Sequence, residues 1–347
     1  MVYRIYLLIL SAVLVTACNS STSPDTNIPR SGRLIYQSTQ SDGIDMMMFD
    51  AESGTSRLIA DNTIFWSSPG GGRIAALKVQ EDTINEAEIF IVDIESGETV
   101  QILPVRYGLR VDAGTMSISP DGKKIFYTGE KGYDDRRAVI QNVDDPSQFI
   151  LLPIGAAHST FSRFSPDGSR IAFFTRTENF CCTGNLSLIN SDGTNLEVVE
   201  EFFHVEHDLL TRVEWSSDGT KLLYAFGAYG YFRIADMVSG KVSEIAPGSF
   251  PSMSPDGSQV VCTRQDLEGE FNTALIDVSG NLKWSIPGEA AAYLDWSADG
   301  SMIVYSKTVT AVVGWPDPEG VVVVRDAATG EVLHSIPTFG FFQFWVK

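Results

Sequence analysis

Five times along this chain a serine is followed, two residues on, by Asp-Gly: Ser119-Pro120-Asp121-Gly122, Ser165-Pro166-Asp167-Gly168, Ser216-Ser217-Asp218-Gly219, Ser254-Pro255-Asp256-Gly257 and Ser297-Ala298-Asp299-Gly300. Proline presets φ at about −65° in the first central position of a turn, Asp hydrogen-bonds the backbone beyond it, and Gly accepts positive φ at the close. Each copy is therefore read as a tight hairpin between two antiparallel strands. A sixth segment, Trp66-Ser67-Ser68-Pro69-Gly70-Gly71-Gly72, reads as a worn copy of the same turn.

The segments after the turns are equally uniform. Arg73-Ile74-Ala75-Ala76-Leu77, Lys124-Ile125-Phe126-Tyr127, Arg170-Ile171-Ala172-Phe173, Lys221-Leu222-Leu223-Tyr224, Gln259-Val260-Val261-Cys262 and Met302-Ile303-Val304-Tyr305 are apolar on both faces of a strand. Strands of that kind are covered from both sides. Each unit continues with a second hairpin, as in Ile91 to Val100 and Val324 to Leu333, with the stronger alternation of half-exposed outer strands. Arg33-Leu34-Ile35-Tyr36 opens a further unit that lacks the strand before its turn, and Phe342 to Val346 supplies a spare strand after the last hairpin.

Seven units result, their equivalent strands starting 38 to 51 residues apart, close to the roughly 40 to 50 of a four-stranded propeller blade. The expected fold is all-β: a seven-bladed β-propeller of four-stranded antiparallel blades. Pairing of the C-terminal strand with the N-terminal blade closes the ring, which removes exposed sheet edges around it. Thirty Gly and 15 Pro scattered over 347 residues suit many short strands and turns.

At these residues the chain resembles the TolB-type propeller repeat, a relative of the WD repeat, over essentially everything from Arg33 to Lys347. TolB has six blades and a preceding α/β domain, so its particular partner contacts do not carry over. Residues Met1 to Ala17 resemble a bacterial lipoprotein signal: Arg4, an apolar run from Ile5 to Val15, then Val15-Thr16-Ala17-Cys18. That run is too short to span a bilayer, which takes roughly 20 apolar residues. The resemblance implies cleavage before Cys18, lipidation there, and a place in the cell envelope, lipid-anchored, facing the periplasm or outer membrane. Asn19 in the position after the anchor leans it toward the outer membrane. The organisation read from the sequence is thus 1-17 signal peptide, 18-31 flexible tether, 32-347 propeller, with the Ser, Thr and Pro-rich stretch from Asn19 to Arg30 as the tether.

Charge narrows the function. Forty-four acidic against 25 basic residues give a net charge of −19, which repels nucleic acid. No Gly-x-Ser-x-Gly elbow, phosphate loop or dinucleotide fingerprint is present in the sequence. In a propeller the loops after the second strand and those between blades share one face, opposite the Asp-Gly turns, and carry the irregular residues. Candidate binding residues there are Tyr107, Arg110, Asp112, Asp134, Arg136, His158, His204, His207, Asp208 and Trp315. His204 and His207, in Phe203-His204-Val205-Glu206-His207-Asp208, bring two imidazoles near two carboxylates. Oligogalacturonate lyases, which resemble this fold, hold a divalent metal through propeller histidines. His-x-x-His supplies no third ligand, so no metal and no cofactor is assigned.

Adjacent Cys181 and Cys182 are read as a possible bridge across a strained eight-membered ring, with reduced or intermolecular thiols as the alternatives. Cys262 reads as a small buried side chain in a strand. The expected function is an envelope scaffold, monomeric, that binds a protein or a glycan without catalysis. The competing reading is a metal-assisted polysaccharide lyase or hydrolase with its site at the channel mouth, using His204, His207 and Arg110.

Overall fold

A computed structural model describes residues 32–40, 43–61, 63–67, 70–78, 88–108, 110–132, 135–155, 162–176, 184–202, 210–226, 231–308, 321–337 and 342–346. Among them the chain forms 28 strands and no helix. The strands fall into seven four-stranded antiparallel sheets, the blades of a seven-bladed propeller. Within blades two to seven the strands lie in chain order from the innermost outwards. Blade one takes its innermost strand from the far end of the chain: Phe342–Val346 pairs antiparallel with Arg33–Gln40, Leu34 opposite Trp345 and Ile35 opposite Phe344. The closure expected from the sequence is present.

The innermost strands of the other blades are Thr63–Trp66, Arg110–Ile118, Arg163–Phe164, Leu210–Trp215, Ser249–Met253 and Ala290–Trp296. From blade two round to the C-terminal strand, each innermost strand touches the next about the axis. The second strands are the core. Ile74, Ala75 and Ala76, Ile125, Phe126 and Tyr127, and Ile303, Val304 and Tyr305 are buried in succession, so both faces of each sheet are covered by its neighbours. Cys262 is among them, fully buried, its thiol pushed up to about 12 by burial.

The five Ser-x-Asp-Gly turns are atomic copies of one another. In each, the serine Oγ donates to the Asp Oδ1 at 2.6 Å, and that Oδ1 accepts the backbone N–H two residues on. The serine Oγ also accepts the N–H that opens the second strand. The glycine sits at φ between +66° and +71°, a conformation that costs it nothing. Asp therefore works inside the turn, as its recurrence in five of the seven blades suggests.

The sixth turn is a different object. Gly70 and Arg73 exchange both backbone hydrogen bonds around Gly71 and Gly72, whose φ values are +57° and +73°. This is a two-residue hairpin of the kind that needs positive φ at both central positions. Ser67 keeps the place of the turn serine, donating its N–H to the Ala75 carbonyl at 2.7 Å and accepting the Ala75 N–H on its Oγ at 3.1 Å, so the worn-copy alignment holds and the Gly-Gly hairpin replaces only the Pro-Asp-Gly part of the turn. The tightness has a cause in packing: a Cβ on Gly70 would lie 2.1 Å from the carbonyl oxygen of Ser119 in the next blade.

Blades are stapled by polar side chains at repeated positions. The cation that opens a second strand reaches into the following blade: Arg33 to Glu95 at 2.8 Å, Arg73 to Asp144 at 2.9 Å, Lys124 to the Ser191 carbonyl at 2.8 Å, and Lys221 to the Gly257 carbonyl at 2.6 Å. Arg170 stacks instead on the Trp215 ring, 5.4 Å from its centroid. A tyrosine three residues along adds a buried latch. Tyr224 donates to Glu200 of the preceding blade at 2.6 Å, and Arg233 holds the other oxygen of that carboxylate at 2.6 Å. Tyr305 donates to Glu289, which Arg325 also grips at 2.8 Å.

Candidate functional site

The loop-face candidates of blade three are brought together. Arg110 and Arg136 both stand opposite Glu130 across the sheet, on its two sides. Arg136 Nη2 lies 3.0 Å from Glu130 Oε1 with its side chain almost wholly covered. Arg136 therefore stands behind the face, turned inward by that ion pair, and not on the surface. Tyr107 is half-buried and donates to Asp135 Oδ1 at 2.5 Å, the carboxylate raising the phenol above its ordinary pKa. Gly108 makes this approach feasible: at φ +72° its hydrogen faces the Glu130 carbonyl where a Cβ would stand 1.9 Å away. Asp112 lies in the same innermost strand, opposite Thr128. Asp134, His158, His204, His207, Asp208 and Trp315 lie outside the described residues, as do Cys18, Cys181 and Cys182.

A second constellation goes beyond the sequence-derived candidates. Ser117, Arg163, Glu214, Ser252 and Asp295 occupy one register position on the innermost strands of blades three to seven, opposite Phe126, Ala172, Leu223, Val261 and Val304. They form an arc around the axis, two residues before each turn serine. Arg212, one residue pair further up its strand, joins them: its Nη2 lies 3.3 Å from Glu214 Oε2, 3.9 Å from Asp295 Oδ1 and 3.3 Å from Ser252 Oγ. Glu214 also accepts the N–H of Met253 at 3.2 Å, and Asp295 accepts that of Trp296 at 2.9 Å. The carboxylates are thus tied down from several sides.

Two features of the backbone serve this arc. The innermost strands of blades six and seven slip register just before Ser252 and Asp295. Within those bulges Phe250 and Tyr293 take φ values of +51° and +56°, a region that bulky residues avoid. Bulges re-aim the side chains that follow them, and strain of this kind persists where the surroundings over-determine it. Behind the arc, Trp215 Nε1 donates to the Arg163 carbonyl at 3.3 Å and Trp296 Nε1 to that of Ser252 at 3.0 Å, so each indole braces the strand of the preceding blade. A sequence signal for the arc exists: every turn fixes the residue two places before its serine, and those residues are Ser, Arg, Glu, Ser and Asp.

The rim beyond the arc is acidic. The turn carboxylates stand there with pKa values held below the usual range; Asp167 and Asp218 fall to about 2, chiefly through the hydroxyls of Ser165 and Ser216. The arrangement therefore offers two half-buried cations, Arg163 and Arg212, beside five turn carboxylates that are ionised at neutral pH. That is a binding electrostatics of mixed sign.

Solved structures share the architecture. TolB from Acinetobacter baumannii superposes with a TM-score of 0.51 at 17% identity, over 74% of this chain and 64% of that one. A putative TolB from Agrobacterium tumefaciens gives 0.50 at 16% identity, over 90% and 91%. A prolyl endopeptidase gives 0.62 at 16% identity, over 89% of this chain but 48% of its own. The chain spans just under two thirds of the Acinetobacter protein's length. At these identities the likeness is one of fold: a β-propeller. No family model and no curated protein matches the sequence.

Proposed function

We propose that this chain is a lipid-anchored propeller of the cell envelope that binds a protein partner through its axial channel, without a chemical step of its own. The observation that carries the reading is the arc of Arg163, Glu214 and Asp295. These charges sit at a position where the fold itself asks only for a strand residue, since serine fills it in blades three and six. Ionisable groups placed there cost desolvation and are explained by something they meet. Irregular polar chemistry on an otherwise regular scaffold is where binding resides.

Cys18 at the end of a short apolar run supports the anchor, and the polar stretch after it supports a tether long enough to hold a domain off the bilayer. A net charge of −19 supports a protein partner over an acidic envelope glycan, which the carboxylate rim repels. The test is labelled palmitate incorporation and in-cell crosslinking, run in parallel on the full chain and on Cys18→Ala. Expected is label in the parent and none in the variant, together with one recurrent envelope protein crosslinked to the parent. No recurrent protein in replicate experiments would overturn the binding role, and label retained by Cys18→Ala would overturn the anchor.

A further inference from the structure

We propose that the arc is a receptor for the free carboxylate end of a basic peptide, with the Arg163 guanidinium as its anchor; this rests on the protein-binding reading above and names what the channel takes. Arg163 carries five N–H donors. Among the described residues it spends one, on the carbonyl of its own neighbour Ser162, at 3.4 Å. Glu214 and Asp295 lie near it, but their oxygens already accept from Arg212, Met253 and Trp296. Burial, with Arg212 alongside, presses the Arg163 pKa down to about 10. An Arg left in that condition is an anion site waiting for a planar, two-oxygen acceptor, which the guanidinium fork fits in bidentate fashion.

One blade away, at the same register, Ser117 is fully buried and among the described residues its Oγ has no hydrogen-bond partner. Buried hydroxyls are nearly always satisfied, so this one marks a second place where a ligand oxygen belongs. The occupant's charge pattern follows from the rim. Asp121, Asp167, Asp218, Asp256 and Asp299 stand four residues beyond the arc in their respective strands and turns. A polyanion is repelled by that ring, whereas a chain that leads with one carboxylate and carries lysine or arginine behind it is complementary at both depths. A peptide C-terminus with basic residues upstream has that order of charges.

The experiment is an array of octapeptides bearing two to four lysines, each printed with a free C-terminal carboxylate and as the amide, probed with the purified full chain. Expected is at least tenfold tighter binding of the carboxylate forms by the parent, and loss of that preference in Arg163→Gln. Arg163→Lys, which keeps the charge but not the fork, should fall between the two. Circular dichroism checks that the variants are folded; if Arg163→Gln is not, competition by sodium propionate against the parent reads the same site and should abolish the preference. Equal binding of acid and amide forms overturns the carboxylate anchor while leaving the protein-binding reading intact. Binding of neither form overturns the proposal, and only the crosslinking experiment then decides whether the wider reading falls with it.

Discussion

The turn face and the channel arc are two residues apart in sequence and opposite in design. On the turn face the same three side-chain contacts recur in five blades to within a few tenths of an ångström, and each Asp is answered by a serine hydroxyl and a backbone N–H. In the arc the same scaffold position carries serine, arginine, glutamate, serine and aspartate in turn, held by long contacts over bulged strands. Repetition marks what the ring needs in order to close. Departure from repetition marks what the ring tolerates, and tolerance of buried charge needs a reason outside the fold.

The comparison is broken most severely at Glu214. Its removal in Glu214→Ala leaves Arg212 and Arg163 inside the channel with less counter-charge, a loss of about 3–5 kcal/mol in stability. Denaturant unfolding of the purified chain measures it. The sharper test is the pair: Arg212→Leu with Glu214→Leu together takes both charges away, and such replacements are often neutral or stabilising. A double variant as stable as the parent, but unable to bind, identifies the arc as functional. A double variant as damaged as Glu214→Ala makes the arc part of the frame and joins it to the turn face.

Next in size is the hairpin that departs from the turn pattern. Gly70→Ala drives a Cβ into the Ser119 carbonyl and should cost roughly 1–3 kcal/mol as overpacking between blades. Gly72→Ala, where no atom lies within 4 Å, tests φ alone and should cost about 1 kcal/mol. Equal values for the two would show that blade contact contributes nothing at that turn. Of the same size as Gly72→Ala is Ser165→Ala, at about 1 kcal/mol for the lost turn hydrogen bonds. The same change at Ser119, Ser216, Ser254 or Ser297 should give values close to it, because the contacts are copies.

The same contrast decides what is legible in the residues alone. The seven blades, the buried second strands and the closing pair of Leu34 with Trp345 follow from local turn chemistry and apolar runs, which are written in contiguous residues. The sixth turn is legible in part: Ser67 keeps the place of the turn serine, whereas the hairpin between Gly70 and Arg73 depends on the close approach of Ser119 in the next blade. Arg136 reads as a surface residue, since its inward turn depends on Glu130 across the sheet. The arc is hidden for a related reason. Arg163, Glu214 and Asp295 are far apart along the chain, and only the ring brings them within reach of one another, whereas the turns beside them are read in four letters.

The mildest perturbation is pH, and in the acid range it acts on the turn carboxylates while leaving Arg163 charged. Asp167 and Asp218 have folded pKa values near 2 against an ordinary 3.8, lowered chiefly by the hydroxyls of Ser165 and Ser216. A carboxylate depressed on folding contributes stability that is complete above its unfolded pKa and disappears as pH falls toward its folded one. The window is therefore about pH 4 down to about pH 2. Asp50, Asp93, Asp121, Asp145, Asp192, Asp236, Asp256, Asp277 and Asp299 are shifted in the same direction, so the turn face as a whole loses its grip there. Arg163 stays protonated throughout that range, its pKa of about 10 lying far above it. An Asp167→Asn, Asp218→Asn double variant should be less stable than the parent near neutral pH and converge with it near the acid end of the window, as read by thermal unfolding across it. A gap that stayed constant over the whole range would show that the turns are held by shape and hydrogen bonding alone, with ionisation of their carboxylates contributing nothing.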